Sequence, residues 1–397
     1  MGFKKKNENS IVLCKKIQIH PTKEQIADIE RDSFLCKLLY NTYLAQRKEY
    51  YTCYNKNMKM TEQRSQIKLL REQNTDYAKV YAKYLHAVCM DLAVDYDNCV
   101  KKRSRGEKTR LPRYKDKDYF YPLKTPKQYV KIKEDRIKLG FYEIKVDVNE
   151  IPTNYGEVWI VKARNKYLIS VSYEANKKEN NNNNILAIDL GISKFATGIN
   201  QNGEVIEIIN PRYDKYWNKK IDKVRSMRDT KKKGSGRYKK LTKALKRLYE
   251  KRRKQQEHFI HTITKYLVLN NKELILGDLS QEQMIKKSNL TKLNRSIKEN
   301  WGLGKFKTFL TYKAKLHDVK VVYINEAYTS KTCSNCGNRK SMELSKRVYK
   351  CMCGMTLDRD INSSINIFNK HNKNKALNYK NINQVTTLHF HFGKLVA

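Results

Sequence analysis

The sequence contains no apolar run long enough to cross a membrane. A transmembrane helix needs at least about 18 consecutive apolar residues, and no such stretch occurs in the 397-residue chain. The first ten residues, MGFKKKNENS, also lack the apolar core of a secretory signal. Lys6 stands where a myristoylation motif requires Ser or Thr. These absences predict a soluble intracellular protein with no membrane partner.

Acidic residues are scarce relative to basic ones. The chain has 83 Lys and Arg but 40 Asp and Glu, which gives a formal charge of +43. Such an excess would repel itself in a compact fold unless a polyanion neutralised it. The charge therefore favours a nucleic-acid partner, bound with an affinity that falls steeply with salt; an anionic membrane surface is the competing interpretation. Bound to nucleic acid, the protein would be cytoplasmic and associated with the nucleoid.

The cysteines do not form a disulfide framework. Their number, nine, is odd, and five are scattered singly: Cys14, Cys36, Cys53, Cys89 and Cys99. The other four lie within 21 residues as two close pairs, Cys333 with Cys336 and Cys351 with Cys353. Four thiolates in two pairs favour one structural Zn²⁺ ion. The second pair is one residue shorter than the usual spacing, and two disulfides are the alternative, which the intracellular compartment disfavours.

The N-terminal half predicts a strand, a helical region and a small β-domain. Residues 11–19 have strand character, and Thr22 with Gln25 has the spacing of a helix capping box. Helical periodicity then continues, with interruptions, to about residue 103. Residues 104–123 form a basic, proline-broken loop, and alternation between 129 and 173 predicts antiparallel strands. The polar run 176–184 has the composition of a linker.

The C-terminal half predicts an α/β domain with a strongly basic helical segment. Residues 185–192, 273–277 and 319–325 are continuous apolar runs of the kind found in buried strands. Between the first two, residues 215–254 contain 19 Lys and Arg and 3 acidic residues. We interpret this segment as two helices joined at a glycine turn that contact nucleic acid. A helix at 362–370 closes the domain.

Three carboxylates stand at the ends or the middle of these elements. Asp189 lies inside an apolar strand, where an unpaired charge is costly and normally has a cationic partner. Glu326 follows the strand at 319–325, and Asp360, with Asp358 two residues before it, precedes the last helix. One such acid alone would be an ordinary turn residue. Together, carboxylates of this kind can hold two Mg²⁺ ions for phosphodiester hydrolysis.

Three motifs in this order resemble the TnpB family: AIDLGISKFAT, YTSKTCSNCG and CGMTLDRDINSSINI. These are transposon-encoded, RNA-guided DNA endonucleases related to type V CRISPR effectors and to Fanzor proteins. The resemblance implies an α/β RNase H-like (RuvC) nuclease domain at 185–332 and 355–370 with a zinc-ribbon insertion at 333–354. It further implies a β-barrel wedge at 1–20 and 104–176, an α-helical recognition lobe at 21–103 and a flexible tail at 371–397.

The resemblance assigns two catalytic acids directly and leaves the middle one open. Asp189 matches the first acid and Asp360 the third. The second acid would stand immediately before Asp278, where this chain has Gly277. Either the nuclease is inactive, or the acid has moved to Glu326, as in a subset similar to Fanzor proteins. Because neighbouring strands lie about 4.8 Å apart, a glutamate on the next strand could reach the same metals.

The implied partners are a guide RNA from the transposon end and double-stranded target DNA with a short flanking motif; a protein oligomer is not implied. We expect cleavage with two Mg²⁺ ions. The basic residues expected to contact nucleic acid are Arg113, Lys115, Lys231, Lys232, Lys233, Arg237, Lys239, Lys240, Arg247, Arg252 and Arg253.

The alternative function is that of an inactive RNA-guided DNA-binding repressor. Two weaker alternatives are a transposase that joins DNA strands itself and a zinc-ribbon RNA-binding protein. The RNA-binding protein would leave the buried Asp189 unexplained.

Overall fold

The computed structural model describes residues 9–163, 166–279, 285, 291–343, 346–372 and 376–397. The chain divides into two compact units, Met1–Ala175 and Asn176–Ala397. Neither contains a described helix that is both long and apolar enough to span a bilayer.

The first unit combines four helices with a seven-stranded sheet. Its elements are β1 (Ser10–His20), α1 (Lys23–Tyr54), α2 (Met60–Gln73), α3 (Thr75–Lys79), α4 (Ala82–Ser104), β2 (Leu123–Thr125), β3 (Val130–Lys133), β4 (Arg136–Leu139), β5 (Tyr142–Val146), β6 (Tyr155–Ala163) and β7 (Lys166–Asn176). The strand order is β2-β6-β7-β1-β5-β4-β3. Helix α1 begins at the predicted capping box, in which Thr22 and Gln25 bond to each other's backbone. One hydrophobic core joins helices and sheet.

The second unit contains a second seven-stranded sheet with helices on both faces. Its elements are β8 (Ile185–Leu190), β9 (Lys194–Asn200), β10 (Glu204–Ile209), α5 (Tyr213–Asp229), α6 (Gly236–Asn270), β11 (Glu273–Gly277), α7 (Thr291–Asn300), α8 (Leu303–Leu316), β12 (Lys320–Ile324), β13 (Val348–Lys350), β14 (Thr356–Asp358), α9 (Arg359–His371), β15 (Gln384–His391) and β16 (Lys394–Val396). The strand order is β12-β11-β8-β9-β10-β15-β16, and β13 with β14 forms a separate hairpin.

The strand directions in this sheet follow from the connections. Strands β8, β9 and β10 are antiparallel neighbours, as a meander requires. Strand β11 is parallel to β8, and β12 is parallel to β11, because helices connect them. Helices α6 and α8 pack on one face of the sheet with Leu186 and Ile188. Helix α9 packs on the other face, where Ala187 and Ile275 lie.

The prediction of a flexible tail at 371–397 is wrong for most of that segment. Strand β15 pairs in parallel with β10, and β16 pairs with β15. Leu377 and Leu388 are buried in the cores on opposite faces of the sheet. The sequence did not predict β15 because the strand is short and is stabilised by β10, about 180 residues earlier in the chain. Local periodicity does not reveal pairing with a strand so distant in sequence.

Candidate active site

Alternation along two strands brings Asp189 and Gly277 to the face covered by α9. On β8, Leu186, Ile188 and Leu190 point to the α6 side, so Ala187 and Asp189 point to the α9 side. On β11, Leu274 and Leu276 point to the α6 side, which leaves Ile275 and Gly277 facing α9. The carboxyl ends of these parallel strands therefore meet the beginning of α9.

Glu326 occupies the space in front of Gly277. In the parallel ladder Gly277 is opposite Ile324, so Glu326 lies two residues beyond this pair on the same face. A Cβ atom placed on residue 277 would stand 2.0 Å from Oε2 of Glu326 and 3.0 Å from its Cβ. The glycine thus gives Glu326 the volume that a side chain on β11 would otherwise fill.

Asp360 reaches the same site from the first turn of α9. The helix is capped by Asp358, whose Oδ1 accepts hydrogen bonds from the backbone N–H groups of Asp360 and Ile361. The other carboxylate oxygen of Asp358 pairs with Lys194 at 2.8 Å. Asp358 is therefore engaged as a helix cap and ion-pair partner, while the Asp360 carboxylate lies 3.8 Å from Arg347 and close enough to Asp189 to raise its pKa.

The electrostatics of the site favour a bound cation. Burial, together with Asp360 and Glu326, raises the pKa of Asp189 well above its usual value. Burial and the nearby Asp278 raise the pKa of Glu326 to about 7. Burial and Asp358 raise the pKa of Asp360. Carboxylates that resist ionisation next to one another are stabilised in the charged form by a metal ion, and an all-oxygen donor set suits Mg²⁺.

Asp278 faces away from this group, as its position out of phase with Gly277 predicts. Its Oδ1 accepts a hydrogen bond from Nζ of Lys307 at 3.1 Å, and Lys307 belongs to α8 on the opposite face of the sheet. Asp278 still influences the pKa of Glu326 through space. It does not lie on the face that Asp189 and Glu326 share.

The four paired cysteines converge as the spacing predicts. Their sulfur atoms all lie within 4.8 Å of one another, and among the described residues they are the one group of three or more potential metal ligands this compact. Tight turns at Gly337 and Gly354, both with positive φ, bring each pair together. Cys333, Tyr349 and Met355 form a small buried core beneath the site. Four thiolates at this spacing fit a tetrahedral Zn²⁺ ion.

The basic residues expected to contact nucleic acid are mostly accessible to solvent, but two are engaged within the protein. Lys231 is half-buried, and eight residues are exposed: Arg113, Lys232, Lys233, Arg237, Lys239, Lys240, Arg247 and Arg253. Lys115 instead stacks on Tyr40 and Tyr119. Arg252 donates to Asn218 at 2.6 Å and pairs with Glu299, with its side chain 11% exposed. These last two side chains are committed to contacts within the protein.

Sequence reasoning missed a polar face on α9. Asn362, Ser363 and Asn366 are buried and hydrogen-bond to the backbone or side chains of residues 329–334. The signal was present in the sequence: Asn362 and Asn366, four residues apart and interleaved with the apolar residues Ile361, Ile365 and Phe368, lie on one helical face and need partners if that face is buried.

Three family models match the chain. They are described as "Helix-turn-helix domain" of the IS605 OrfB type at residues 13–56, "Probable transposase" of the same type at 168–288, and "Cas12f1-like, TNB domain" at 304–367. The last range contains Glu326, the four cysteines and Asp360. The chain is therefore similar to IS605 OrfB (TnpB-type) and Cas12f1-like proteins over these ranges.

Individual relatives agree with this similarity. "TnpB-like protein L79" of Acanthamoeba polyphaga mimivirus is 32% identical over 51% of this chain, which spans 40% of that relative's length. "Putative RNA-guided DNA endonuclease InsQ" of Escherichia coli (strain K12) is 25% identical over 89% of the chain and 90% of its own length. The solved structure "Cryo-EM structure of the Cas12f1-sgRNA-target DNA complex" superimposes with a TM-score of 0.61 and covers 90% of this chain and 99% of that one. The two sequences are 12% identical, so this similarity is evidence for the fold of the chain only.

Proposed function

We propose that this protein is a transposon-encoded, RNA-guided DNA endonuclease whose catalytic carboxylates are Asp189, Glu326 and Asp360. The single observation that carries this proposal is the position of Glu326 over Gly277. It supplies an acid at the place where the family pattern expects one and the sequence has none. The inactive repressor was inferred from that missing acid, so the relocated glutamate removes its main support.

The architecture of the second unit supports an RNase H-like (RuvC) nuclease core. The strands β10, β9 and β8 are antiparallel, and β11 and β12 continue the sheet in parallel. The three acids come from β8, from the end of β12 and from the start of α9.

Each carboxylate has a distinct part in the proposed reaction. Mg²⁺ ions bound at this site would activate water and stabilise the leaving oxygen of the phosphodiester. Asp189, held on the interior strand β8 and close enough to both other acids for them to raise its pKa, would hold metal together with them. Glu326 and Asp360 would supply further carboxylate ligands, and the Asp358 cap holds the backbone of Asp360 at the start of α9. Arg347, whose guanidinium lies 3.8 Å from Asp360, could offset charge on an incoming phosphate.

A guide RNA and double-stranded target DNA with a short flanking motif are the proposed partners. The +43 charge supports a polyanionic partner, and the name of the Escherichia coli relative supports an RNA-guided reaction on DNA. The exposed residues at 231–253 are the proposed backbone contacts. In this role the protein would act in the cytoplasm, at the nucleoid.

The N-terminal unit would serve recognition. We propose that its antiparallel strands form the barrel-like wedge and that α1 to α4 form the recognition lobe, with Arg113 exposed in the basic loop between them. One Zn²⁺ ion held by the four cysteines would stabilise the insertion structurally.

The test compares conservative variants in cleavage of guide-matched DNA. Glu326→Gln and Asp189→Asn should each lower the rate by at least about 100-fold, since even groups that only support metal ligands contribute 10–100-fold. Guided binding should persist because the basic residues lie elsewhere. Asp278→Asn is the matched control and should cleave normally, and Asp358→Asn should lose less because Asn also caps helices. Wild-type protein that binds guided DNA but never cuts it with any divalent metal would establish the repressor instead.

A further inference from the structure

Helix α9 is buried on nearly every side, and its two sides differ in chemistry. Ile361, Ile365 and Phe368 belong to the core formed with the sheet. Asn362, Ser363 and Asn366 lie among the same turns and are at most 8% exposed. Buried amides and hydroxyls are costly unless they are hydrogen-bonded, so the partners of these three side chains indicate what this face does.

Their partners lie on residues 326–334, which we name the bridging loop because Glu326 begins it and Cys333 lies near its end. Nδ2 of Asn366 donates to the backbone carbonyls of Thr329 at 2.8 Å and Thr332 at 2.7 Å. Nδ2 of Asn362 donates to the same Thr332 carbonyl at 2.8 Å. Oδ1 of Asn362 accepts from the backbone N–H of Ser334 at 2.9 Å. Two asparagines therefore fix the loop at three points.

A shorter chain of hydrogen bonds leads from α9 to the glutamate itself. Oγ of Ser363 donates to Oγ1 of Thr329 at 3.1 Å, and Oγ1 of Thr329 donates to the backbone carbonyl of Glu326 at 2.9 Å. The backbone N–H of Thr329 donates to that same carbonyl at 3.1 Å. The Ser363 hydroxyl also lies beside Asp189, whose pKa it lowers, against the effect of burial, when it donates there. Because it carries one proton, Ser363 donates either to Thr329 or to Asp189, so it lies between the supports of two of the proposed catalytic acids.

We infer that the polar face of α9, formed by Asn362, Ser363 and Asn366, positions Glu326 in the metal site by holding the bridging loop. Glu326 lies two residues beyond Ile324, the last residue of edge strand β12, so the ladder pairing of that strand does not fix it. Asp360 is on α9 itself. The same helix therefore sets the distance between two of the three acids, and it links the cysteine site to both. These residues are positioning residues, not catalytic ones.

This inference rests on the proposed function, and the helix offers a matched control. Ser364 is equally buried, but its Oγ donates to the carbonyls of Thr197 on β9 and of Asp360 one turn earlier in α9, and to none of the described residues 326–334 of the bridging loop. Asn366→Ala removes two loop contacts, whereas Ser364→Ala removes one contact to β9 and one to the backbone of its own helix. Thr329→Val, which is nearly isosteric, breaks the short chain to Glu326 without touching a cysteine or a catalytic side chain.

The experiment measures two properties of the full-length chain. First, hydrogen exchange at the bridging-loop amides should be faster in Asn366→Ala and in Thr329→Val than in wild type, and unchanged in Ser364→Ala. Second, the Mg²⁺ concentration for half-maximal cleavage should rise about 10-fold in the first two variants, as for other residues that orient metal ligands. Zinc content should stay at the wild-type value in all three.

The two readouts separate failure of this inference from failure of the proposed function. Wild-type protein without cleavage would refute the nuclease, while hydrogen exchange would still report whether α9 holds the loop. Equal exchange and equal Mg²⁺ dependence in Asn366→Ala and Ser364→Ala would overturn the inference. If Asn366→Ala proves too unstable to purify, Thr329→Val decides alone: wild-type exchange and wild-type Mg²⁺ dependence in that variant would overturn it as well.

Discussion

Glu326 lies so close to Gly277 that one methyl group on residue 277 would overlap it. The added Cβ would stand 2.0 Å from Oε2 and 3.0 Å from Cδ of the glutamate. Two neighbouring parallel strands thus share one volume, in which either can place a carboxylate but not both. The glycine and the glutamate are best understood as one feature of the site.

The first prediction follows from this overlap. Gly277→Ala should displace the Glu326 carboxylate and reduce cleavage strongly, while guided DNA binding stays near wild type. The rate of cleavage at saturating guide and target measures the effect. Gly304→Ala is the control, because an added Cβ there meets nothing within 4 Å. Equal cleavage by the two alanine variants would show that Glu326 is free to move without consequence.

The second prediction concerns zinc. Cys351→Ser removes one of four thiolates whose sulfurs lie within 4.8 Å, so elemental analysis should fall from one Zn²⁺ per chain to well below one. The C-terminal unit should unfold at lower temperature, because structural zinc contributes directly to folding. Cys14→Ser is the control, since Cys14 is exposed and distant in sequence. Freshly purified wild-type protein without zinc would contradict the site.

Candidate site residues could be picked out of the sequence where their local context was unusual. Prediction failed where contacts between distant segments determine the structure. Asp189 was recognisable because a charge interrupts an apolar strand, and the cysteines because their spacing is specific. Strand β15 was missed because its partner, β10, is remote in sequence. Lys115 and Arg252 matched the basic pattern, yet Tyr40 and Glu299 engage them. Charge patterning predicts which segments are basic, but not which side chains turn inward.

The third prediction separates exposed from engaged basic residues on α6. Substituting Ala for both Arg237 and Lys240, which are exposed, should weaken nucleic-acid binding and reduce the slope of log affinity against log salt by about 0.7–0.9 for each lost phosphate contact. Arg252→Ala should instead lower the unfolding temperature and leave the slope unchanged, because it breaks the contacts with Asn218 and Glu299. The opposite pattern would place the interface elsewhere.

The last prediction uses the shared volume to move the carboxylate back. Glu326→Ala alone should be inactive, because the site loses a metal ligand. Gly277→Glu alone should also be impaired, since the new side chain would meet Glu326. The double variant frees the volume and fills it from β11, so it should cleave faster than either single variant. Effects that are each damaging alone but compensate together mark two residues in one site.

The control extends a carboxylate on the opposite face of the sheet, at residue 278. Asp278→Glu combined with Glu326→Ala lengthens an acid that is already present, on the side where Lys307 binds Asp278, and restores none in front of residue 277, so it should remain inactive. Cleavage is measured with guide and target held constant, and guided binding is checked in parallel. A Gly277→Glu, Glu326→Ala variant that binds guided DNA yet cuts no faster than Glu326→Ala would show that the two positions do not serve the same metals. Restored cleavage would show that the catalytic requirement is for a carboxylate in that volume, whichever strand carries it.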